Sequence, residues 1–220
     1  MGSSPSKSPA ADSAPGEMFR YDLDLGADLV AGADEAGRGC LAGPIVAAGV
    51  LLDRSCLESE GGGRLKGIRD SKKLTVKARE RLYPEVLSCA VKVVVVMRSS
   101  AYIDANGLHV SNIECLSNAI EGLEPGPGTV TLVDGFALKG CGVEHRKLVK
   151  GDSTSAAVAA ASVIAKVTRD RCMARAGKQY EGYGFEGHKG YASAAHRDAI
   201  KLLGPSPIHR LSFASDAYLT

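Results

Sequence analysis

Apolar positions in this chain fall in short dense runs parted by glycine and charge, and the period of the pattern switches between strand-like and helix-like. Leu29–Ala33 is a compact apolar run that stops at Asp34-Glu35, with Gly37 and Gly39 close behind, as a strand entering a tight turn would. Pro44–Leu52, rich in Val and Ile, predicts its hairpin partner. Residues 53–70, with Gly61-Gly62-Gly63 and many charges, read as a surface loop. Thr75 stands where it can cap a helix over 76–89, with Val76, Leu82, Val86 and Leu87 near one face. Val91–Met97 is nearly all valine and predicts a buried strand. A helical period then covers 100–122 through Ile103, Leu108, Ile113, Leu116 and Ile120, until Glu124–Gly128 breaks it with two prolines and two glycines.

Further on, Thr129–Val133 predicts a strand ending at Asp134-Gly135, and Val143–Val149 a weaker one ending at Lys150-Gly151-Asp152. An alanine-rich helix is expected over 153–176, its Ala156, Ala160 and Ala161 small enough for close packing on a sheet. Gly177–Gly190 reads as a loop rich in glycine, tyrosine and charge, and a last helix is expected over 193–203. Hairpin-like strands early and strand–helix alternation later predict an α/β fold: a mixed central sheet flanked by helices, with a helical C-terminal part. Residues 1–17, rich in Ser, Pro, Ala and Gly without a period, read as a disordered tail, leaving 18–220 as a single domain.

Composition narrows the class. At 220 residues, 45% hydrophobic and 24% charged, the chain can bury a core without staples, which excludes wholesale disorder, collagen-like repeats and a disulfide-dense scaffold. No run reaches the roughly 18 apolar residues of a membrane helix, and the first residues lack a signal peptide's apolar stretch, so no membrane and a cytoplasmic location are expected. Cysteines at 40, 56, 89, 115, 141 and 172 include no C-x-x-C pair, which disfavours a zinc ribbon and predicts reduced, mostly buried thiols. The net charge of +2 conceals a division: residues 1–138 carry 14 basic and 18 acidic side chains, residues 139–220 carry 13 and 7. A basic C-terminal part suits nucleic acid, and equally an unevenly charged solvated surface.

The candidate chemistry lies in where the acids fall. Asp34, Asp134 and Asp152 each follow an apolar run, and Glu35 adjoins the first. Carboxylates at strand ends gather at one edge of an open sheet, where they repel one another unless a cation lies between them. Oxygen-only donors suit Mg²⁺ or Mn²⁺, and two such ions are the usual device for phosphodiester hydrolysis. Asp-Gly at a strand end is also an ordinary turn pair. Gly37-Arg38-Gly39 lets backbone approach a ligand closely, and the chain has no G-x-x-x-x-G-K-[ST] or G-x-S-x-G. Tyr180, Tyr183, Phe185, His188, Lys189 and Tyr191 interleave aromatics with bases, as stacking on nucleotides requires and as a packed loop also would. His188, His196 and His209 are not spaced as a zinc set and read as surface or phosphate-side residues.

Taken together these segments resemble one family. Ala33-Asp34-Glu35-Ala36-Gly37-Arg38-Gly39 and Leu41-Ala42-Gly43-Pro44 resemble the opening signature of ribonuclease HII, the type 2 ribonuclease H family. Asp70-Ser71-Lys72-Lys73-Leu74, Val133-Asp134-Gly135, Lys150-Gly151-Asp152-Ser153 and Ala160–Val167 resemble its successive internal blocks. Gly184-Phe185, His188-Lys189-Gly190-Tyr191 and Pro207-Ile208-His209-Arg210 resemble its C-terminal signatures, all in family order.

The resemblance implies a ribonuclease H-like fold and an endonuclease that cuts RNA in RNA–DNA hybrids. It also implies cleavage 5′ of a single ribonucleotide in duplex DNA, leaving 3′-hydroxyl and 5′-phosphate ends, a role in ribonucleotide removal during replication and repair. By position, Asp34, Glu35, Asp134 and Asp152 look like the four acidic ligands of two Mn²⁺ or Mg²⁺ ions, and Asp170 does not match the fourth acid. Gly37, Arg38 and Gly39 resemble the loop that reads the 2′-hydroxyl, Tyr191 the tyrosine that stacks on the next deoxyribose, and Lys72 and Lys73 phosphate contacts. Cys40 stands where the family more often has proline, and the Gly61–Gly63 loop and Ser/Pro tail look like additions. No extra N-terminal substrate-binding domain is expected, which disfavours ribonuclease HIII, and a monomer of the bacterial type is implied. A silent binding module is the rival from another class, disfavoured because a pure binder gains nothing from acids beside phosphates.

Overall fold

A computed structural model describes residues 16–60 and 63–213. Helix α1 (Glu17–Asp24) leads into strand β1 (Leu29–Ala36), which turns back as β2 (Ile45–Asp53) and runs into the short helix α2 (Arg54–Ser59). A 3-10 turn (Ser71–Lys73) precedes α3 (Val76–Cys89), β3 (Lys92–Arg98), α4 (Ser100–Asn106) and α5 (Leu108–Leu123). Strands β4 (Val130–Asp134) and β5 (Arg146–Leu148) follow, then a second 3-10 turn (Gly151–Ser153) and the long helix α6 (Ala156–Gln179). The C-terminal part holds the single-turn α7 (Phe185–His188) and α8 (Ala194–Leu203). The strands form one mixed sheet in the order β3-β2-β1-β4-β5, with β1 antiparallel to β2 and parallel to β4. Among the described residues no helix is long and apolar enough to cross a membrane.

Residues alternate faces along a strand, and this divides the core in two. Val30, Leu132 and the alanines of α6 make the layer on one face, whereas Ala33, Val133, Cys115, Leu116 and Ile120 make the layer under α5 on the other. The α6 layer is unusually close. A Cβ placed on Gly32 would meet the backbone carbon of Ala157 at 2.2 Å, so helix backbone lies directly on strand backbone. Ala156–Ala161 are all fully buried, which explains a helix start with no large side chain. The N-terminus of α6 is anchored twice: Ser155 accepts from Val158 N–H, and Asp22 Oδ2, reaching across from α1, accepts from Ala157 N–H at 2.9 Å.

Several expected boundaries move. Residues 1–15 of the expected tail, and Gly61 and Gly62 of the expected loop, lie outside the described residues, but Glu17 already opens α1. The loop expected over 53–70 holds α2, because Asp53 accepts from Cys56 N–H as its cap. The valine run of β3 is not a buried strand: it lies at the sheet edge, with Val95 and Met97 exposed on the face away from α5. Valine content reports β-branching, and edge position is a tertiary property. The helix expected over 100–122 is two helices, divided where Gly107 takes a φ of 84°. The strand expected over 143–149 is only Arg146–Leu148, Asp152 sits in a 3-10 turn beyond it, and the helix expected over 153–176 runs Ala156–Gln179. Phe185–His188 is helical within the expected Gly177–Gly190 loop. The cysteines are free as expected, but only Cys40, Cys56 and Cys115 are buried.

The Gly32 contact generates a test. Gly32→Ala should destabilise the protein by about 1–3 kcal/mol, read as a lower urea midpoint with unchanged slope, because no backbone atom of Ala157 can move aside.

Candidate active site

Strand periodicity decides which acids meet. Asp34 shares its face of β1 with Gly32 and therefore points to the α6 side, and the parallel register Ala33↔Val133 puts Asp134 beside it on the same face. Asp152 arrives from the turn that starts α6, and Gly151 N–H donates to Asp134 Oδ1 at 2.6 Å, tying that turn to the end of β4. Glu35 projects from the opposite side of the strand end, 3.7 Å from the Arg38 guanidinium. Its Oε2 is buried with no hydrogen-bond partner among the described residues.

Burial and mutual repulsion disturb these acids. Burial first, then the charges of Glu35 and Asp134, push the Asp34 carboxyl well above the usual carboxylate range. The nearby Ser162 hydroxyl, hydrogen-bonded to Ser71 Oγ at 2.8 Å, works the other way. Burial also lifts Glu35 to about 7, with Asp134 adding to the rise while Arg38 and Lys72 oppose it. Asp152 is raised by burial and by Asp70 and Asp134. Desolvation pulls Lys72 down, but Asp34, Asp152, Asp70 and Asp134 outweigh it and raise the ammonium. Among the described residues no three His, Cys, Asp or Glu side chains form a ready-made cage. The donor set is nevertheless all oxygen, mutually repelling and partly orphaned at Glu35 Oε2, which fits a hard divalent cation.

A cleft of about 210 Å³ opens beside these acids, lined by Glu35, Gly37, Arg38, Gly39, Ser71, Lys72, Lys166 and Tyr191. Two buried guanidiniums hold its walls. Arg169 of α6, with no carboxylate partner among the described residues, donates to Pro44 O at 2.9 Å, Ala42 O at 3.0 Å and Lys189 O at 2.9 Å. Arg210 donates to Gly43 O at 3.0 Å and Arg38 O at 2.9 Å. Gly37, at φ 101°, has no room for a side chain, since a Cβ would strike Arg169, whereas Gly39 faces open space. Arg38 lies over the Phe136 ring at 4.7 Å. Tyr191 is 43% exposed, with its ring beside the Lys166 ammonium at 5.6 Å and Cys40 close to its hydroxyl.

Lys73 stands apart from the cleft wall. Its ammonium reaches Ser153 Oγ at 3.3 Å and Asp70 at 3.8 Å, fastening the Ser71–Lys73 turn to the Asp152 turn. Asp70 is a fifth carboxylate near enough to raise Asp152, and nothing in its position along the sequence marks it as one. Lys166 and Arg169 were also missed as site residues, though both lie in the helical block after Asp152 at positions facing the cleft. Asp170 pairs with Lys166 at 2.7 Å and with Arg79 at 3.7 Å. The expectation for the histidines is overturned: His196 and His209 are buried against Tyr183 and Phe185, and His188 stacks on His196 at 4.2 Å. Single-chain spacing cannot reveal such a cluster, because it joins α7, α8 and the 206–210 segment only in three dimensions.

Comparison with known proteins gives a consistent result. The family model for ribonuclease HII matches residues 31–216. A ribonuclease HII of Parafrankia sp. (strain EAN1pec) is 45% identical over 205 residues, covering 92% of this chain and 83% of the relative. One from Mycobacterium ulcerans (strain Agy99) is 47% identical over 184 residues, covering 84% and 74%. Among solved structures, the PCNA:RNase HII complex from Archaeoglobus fulgidus aligns with TM-score 0.71 and 29% identity over 85% of this chain and 96% of that one. The ribonuclease H2 of Pyrococcus horikoshii OT3 aligns with TM-score 0.71 and 27% identity, covering 87% and 95%.

Glu35 supplies a sign-definite test. A carboxyl raised from 4.5 to about 7 holds its proton more tightly folded than unfolded. Its contribution to stability is therefore complete below pH 4.5 and lost as pH rises through about 7, up to roughly 3 kcal/mol in all. In EDTA, Glu35→Gln should melt higher than the parent at pH 8, and this gain should vanish near pH 4.5. A gain independent of pH would contradict the burial argument.

Proposed function

The chain belongs to the ribonuclease HII family and is a ribonuclease H2-type nuclease acting on RNA–DNA hybrids, and from this premise we propose that it is a divalent-metal endonuclease. On this reading it also cuts on the 5′ side of single ribonucleotides in duplex DNA, leaving 3′-hydroxyl and 5′-phosphate ends. The observation that carries the proposal is the cleft in which Glu35, Gly37–Gly39 and Tyr191 line one space beside Asp34, Asp134 and Asp152.

Asp34, Glu35, Asp134 and Asp152 are the residues that would hold two Mg²⁺ or Mn²⁺ ions. Such ions, when bound, lower the pKa of a water and offset charge on the phosphate in flight. The chain's own residues do the rest. Lys72, already surrounded by carboxylates, presents its ammonium where a substrate phosphate meets the acids. Gly39, with open space about its Cα, leaves its backbone free to approach a 2′-hydroxyl, the group that separates RNA from DNA. Arg38 is held between Phe136 and Glu35, so its guanidinium enters the cleft in a defined direction. Tyr191, with an exposed face and its ring beside the Lys166 ammonium, suits stacking on the sugar that follows the ribonucleotide. Lys73 acts from behind, fastening the lysine turn to the Asp152 turn, and adds positive charge toward phosphate.

The decisive assay uses a labelled DNA duplex with one ribonucleotide, in Mg²⁺, Mn²⁺ or EDTA. A metal-dependent cut 5′ of the ribonucleotide is expected. Cleavage of an all-RNA strand alone would point to a ribonuclease HIII-like specificity instead. Asp34→Asn should lose cleavage on the order of 10²–10³-fold while binding hybrid duplex nearly as the parent does, by fluorescence anisotropy. Independently of activity, Mg²⁺ or Mn²⁺ should raise the melting temperature more at pH 8 than at pH 5, because protons compete for the raised carboxyls. Asp134→Asn should blunt that rise. Tyr191→Ala should reduce cleavage at a lone ribonucleotide more than it reduces binding.

A further inference from the structure

Behind Tyr191 lies a pair of histidines whose protons the surrounding backbone determines. His196 and His209 are 0% and 2% exposed, and their Nε2 atoms are 3.0 Å apart. His196 Nδ1 lies 2.9 Å from the carbonyl oxygen of Tyr191, and a carbonyl only accepts, so this nitrogen carries a hydrogen. His209 Nδ1 receives the Ser206 backbone N–H at 2.8 Å, and an N–H only donates, so this nitrogen carries a lone pair. The Ser206 hydroxyl, also at 2.8 Å, can donate to the same nitrogen, and the Ser206 carbonyl oxygen lies farther off at 3.3 Å, so the directed N–H decides the assignment. His209 must then hold its hydrogen on Nε2, and His196 must present a bare Nε2 to receive it. The hydrogen bonds thus run in one direction, from Ser206 through His209 and His196 to the Tyr191 carbonyl.

The arrangement admits no extra proton. On His196 it would set N–H against N–H across 3.0 Å, and on His209 it would oppose the Ser206 N–H. The surroundings agree. Phe185 stands edge-on to His196 at 5.4 Å, Tyr183 packs on His209 at 5.3 Å, and His188 stacks on His196 from α7. Burial holds both rings below the ordinary histidine range, His196 at about 4.

The turn that carries Tyr191 is held carbonyl by carbonyl. Lys189 and Gly190 both have positive φ, at 54° and 84°. The Lys189 carbonyl accepts from Arg169, and the Gly190 carbonyl accepts from Leu41 N–H at 2.9 Å. The Tyr191 carbonyl accepts from His196, and from Ser193 N–H at 2.8 Å. Arg169 and Leu41 hold the carbonyls on the approach to Tyr191, Lys166 and Arg169 lie by its ring, and His196 is the side chain that holds its carbonyl.

We propose that His196 is a positioning residue: with His209 it forms a neutral, tautomer-locked pair that orients Tyr191 and so sets the preference for a ribonucleotide–deoxyribonucleotide junction over an all-RNA strand. The specificity half of this inference rests on the stacking role of Tyr191 given above. The hydrogen-bond relay does not.

Two measurements on the full chain decide it. In ¹⁵N-histidine NMR between pH 6 and 8, His196 should show a protonated Nδ1 and a bare Nε2, and His209 the reverse. A charged ring at either position, or Nε2–H on His196, would overturn the relay. For specificity, His196→Asn keeps an amide donor where Nδ1 stands, and His196→Phe keeps a ring without a donor. The ratio of kcat/KM for a lone ribonucleotide to that for an all-RNA strand should fall about tenfold in His196→Phe and stay within about twofold of the parent in His196→Asn. Equal losses on both substrates, or Asn as impaired as Phe, would overturn the positioning role. Tyr191→Ala separates the two readings. If it leaves the ratio unmoved, the stacking role fails. If it lowers the ratio and a folded His196→Phe does not, the positioning role alone fails.

Discussion

The approach of α6 to β1 at Gly32 is the contact on which the carboxylate edge depends. A helix packed over large side chains stands farther off the sheet, which would carry the turn at its start away from the strand end. Here the alanines at the start of α6 and a strand glycine bring backbone against backbone. The Asp152 turn therefore comes down to the end of β4, close enough for Gly151 N–H to reach Asp134. The same helix, one long rigid rod, then carries Ser162, Lys166 and Arg169 past the cleft in sequence. Small residues at its start thus determine where its later polar residues stand.

Closeness of this kind concentrates charge, and the molecule answers in two ways. Around the acids, protonation and the Lys72 ammonium offset repulsion, which leaves the group responsive to pH and receptive to a cation. Around the cleft, the buried guanidiniums of Arg169 and Arg210 hydrogen-bond backbone carbonyls of the segment from Arg38 to Pro44. A planar fork with several donors suits this task better than an ammonium, because it can hold two or three carbonyls at fixed angles. The glycine loop is therefore held from below while its upper surface, at Gly39, stays open.

The Tyr191 turn shows the same economy with neutral groups. A positive-φ stretch would be mobile on its own, yet each of its successive carbonyls has a donor from a different part of the chain. The Lys166 ammonium lies by the Tyr191 ring at 5.6 Å, so that backbone and side chain are both engaged. On the proposed stacking role of Tyr191, preorganisation of this sort spares an ordering cost on meeting a duplex.

Much of this was legible along the chain. The strands, the hairpin, the capped helix after Thr75 and the alanine-rich helix follow from periodicity, caps and small-residue content, which are local properties. The acids, the glycine pair and Tyr191 were visible because chemistry-bearing residues interrupt apolar runs at recognisable places. Tertiary structure alone decided what depends on neighbours distant in sequence: that the valine run of β3 lies at an edge, that Asp70 joins Asp152, and that Arg169 faces carbonyls rather than phosphate. It also turned His196 and His209 inward as a hydrogen-bonded pair. Burial and hydrogen-bond partnership are properties of a packed arrangement, and no local pattern of residues encodes which distant backbone atom a side chain will meet.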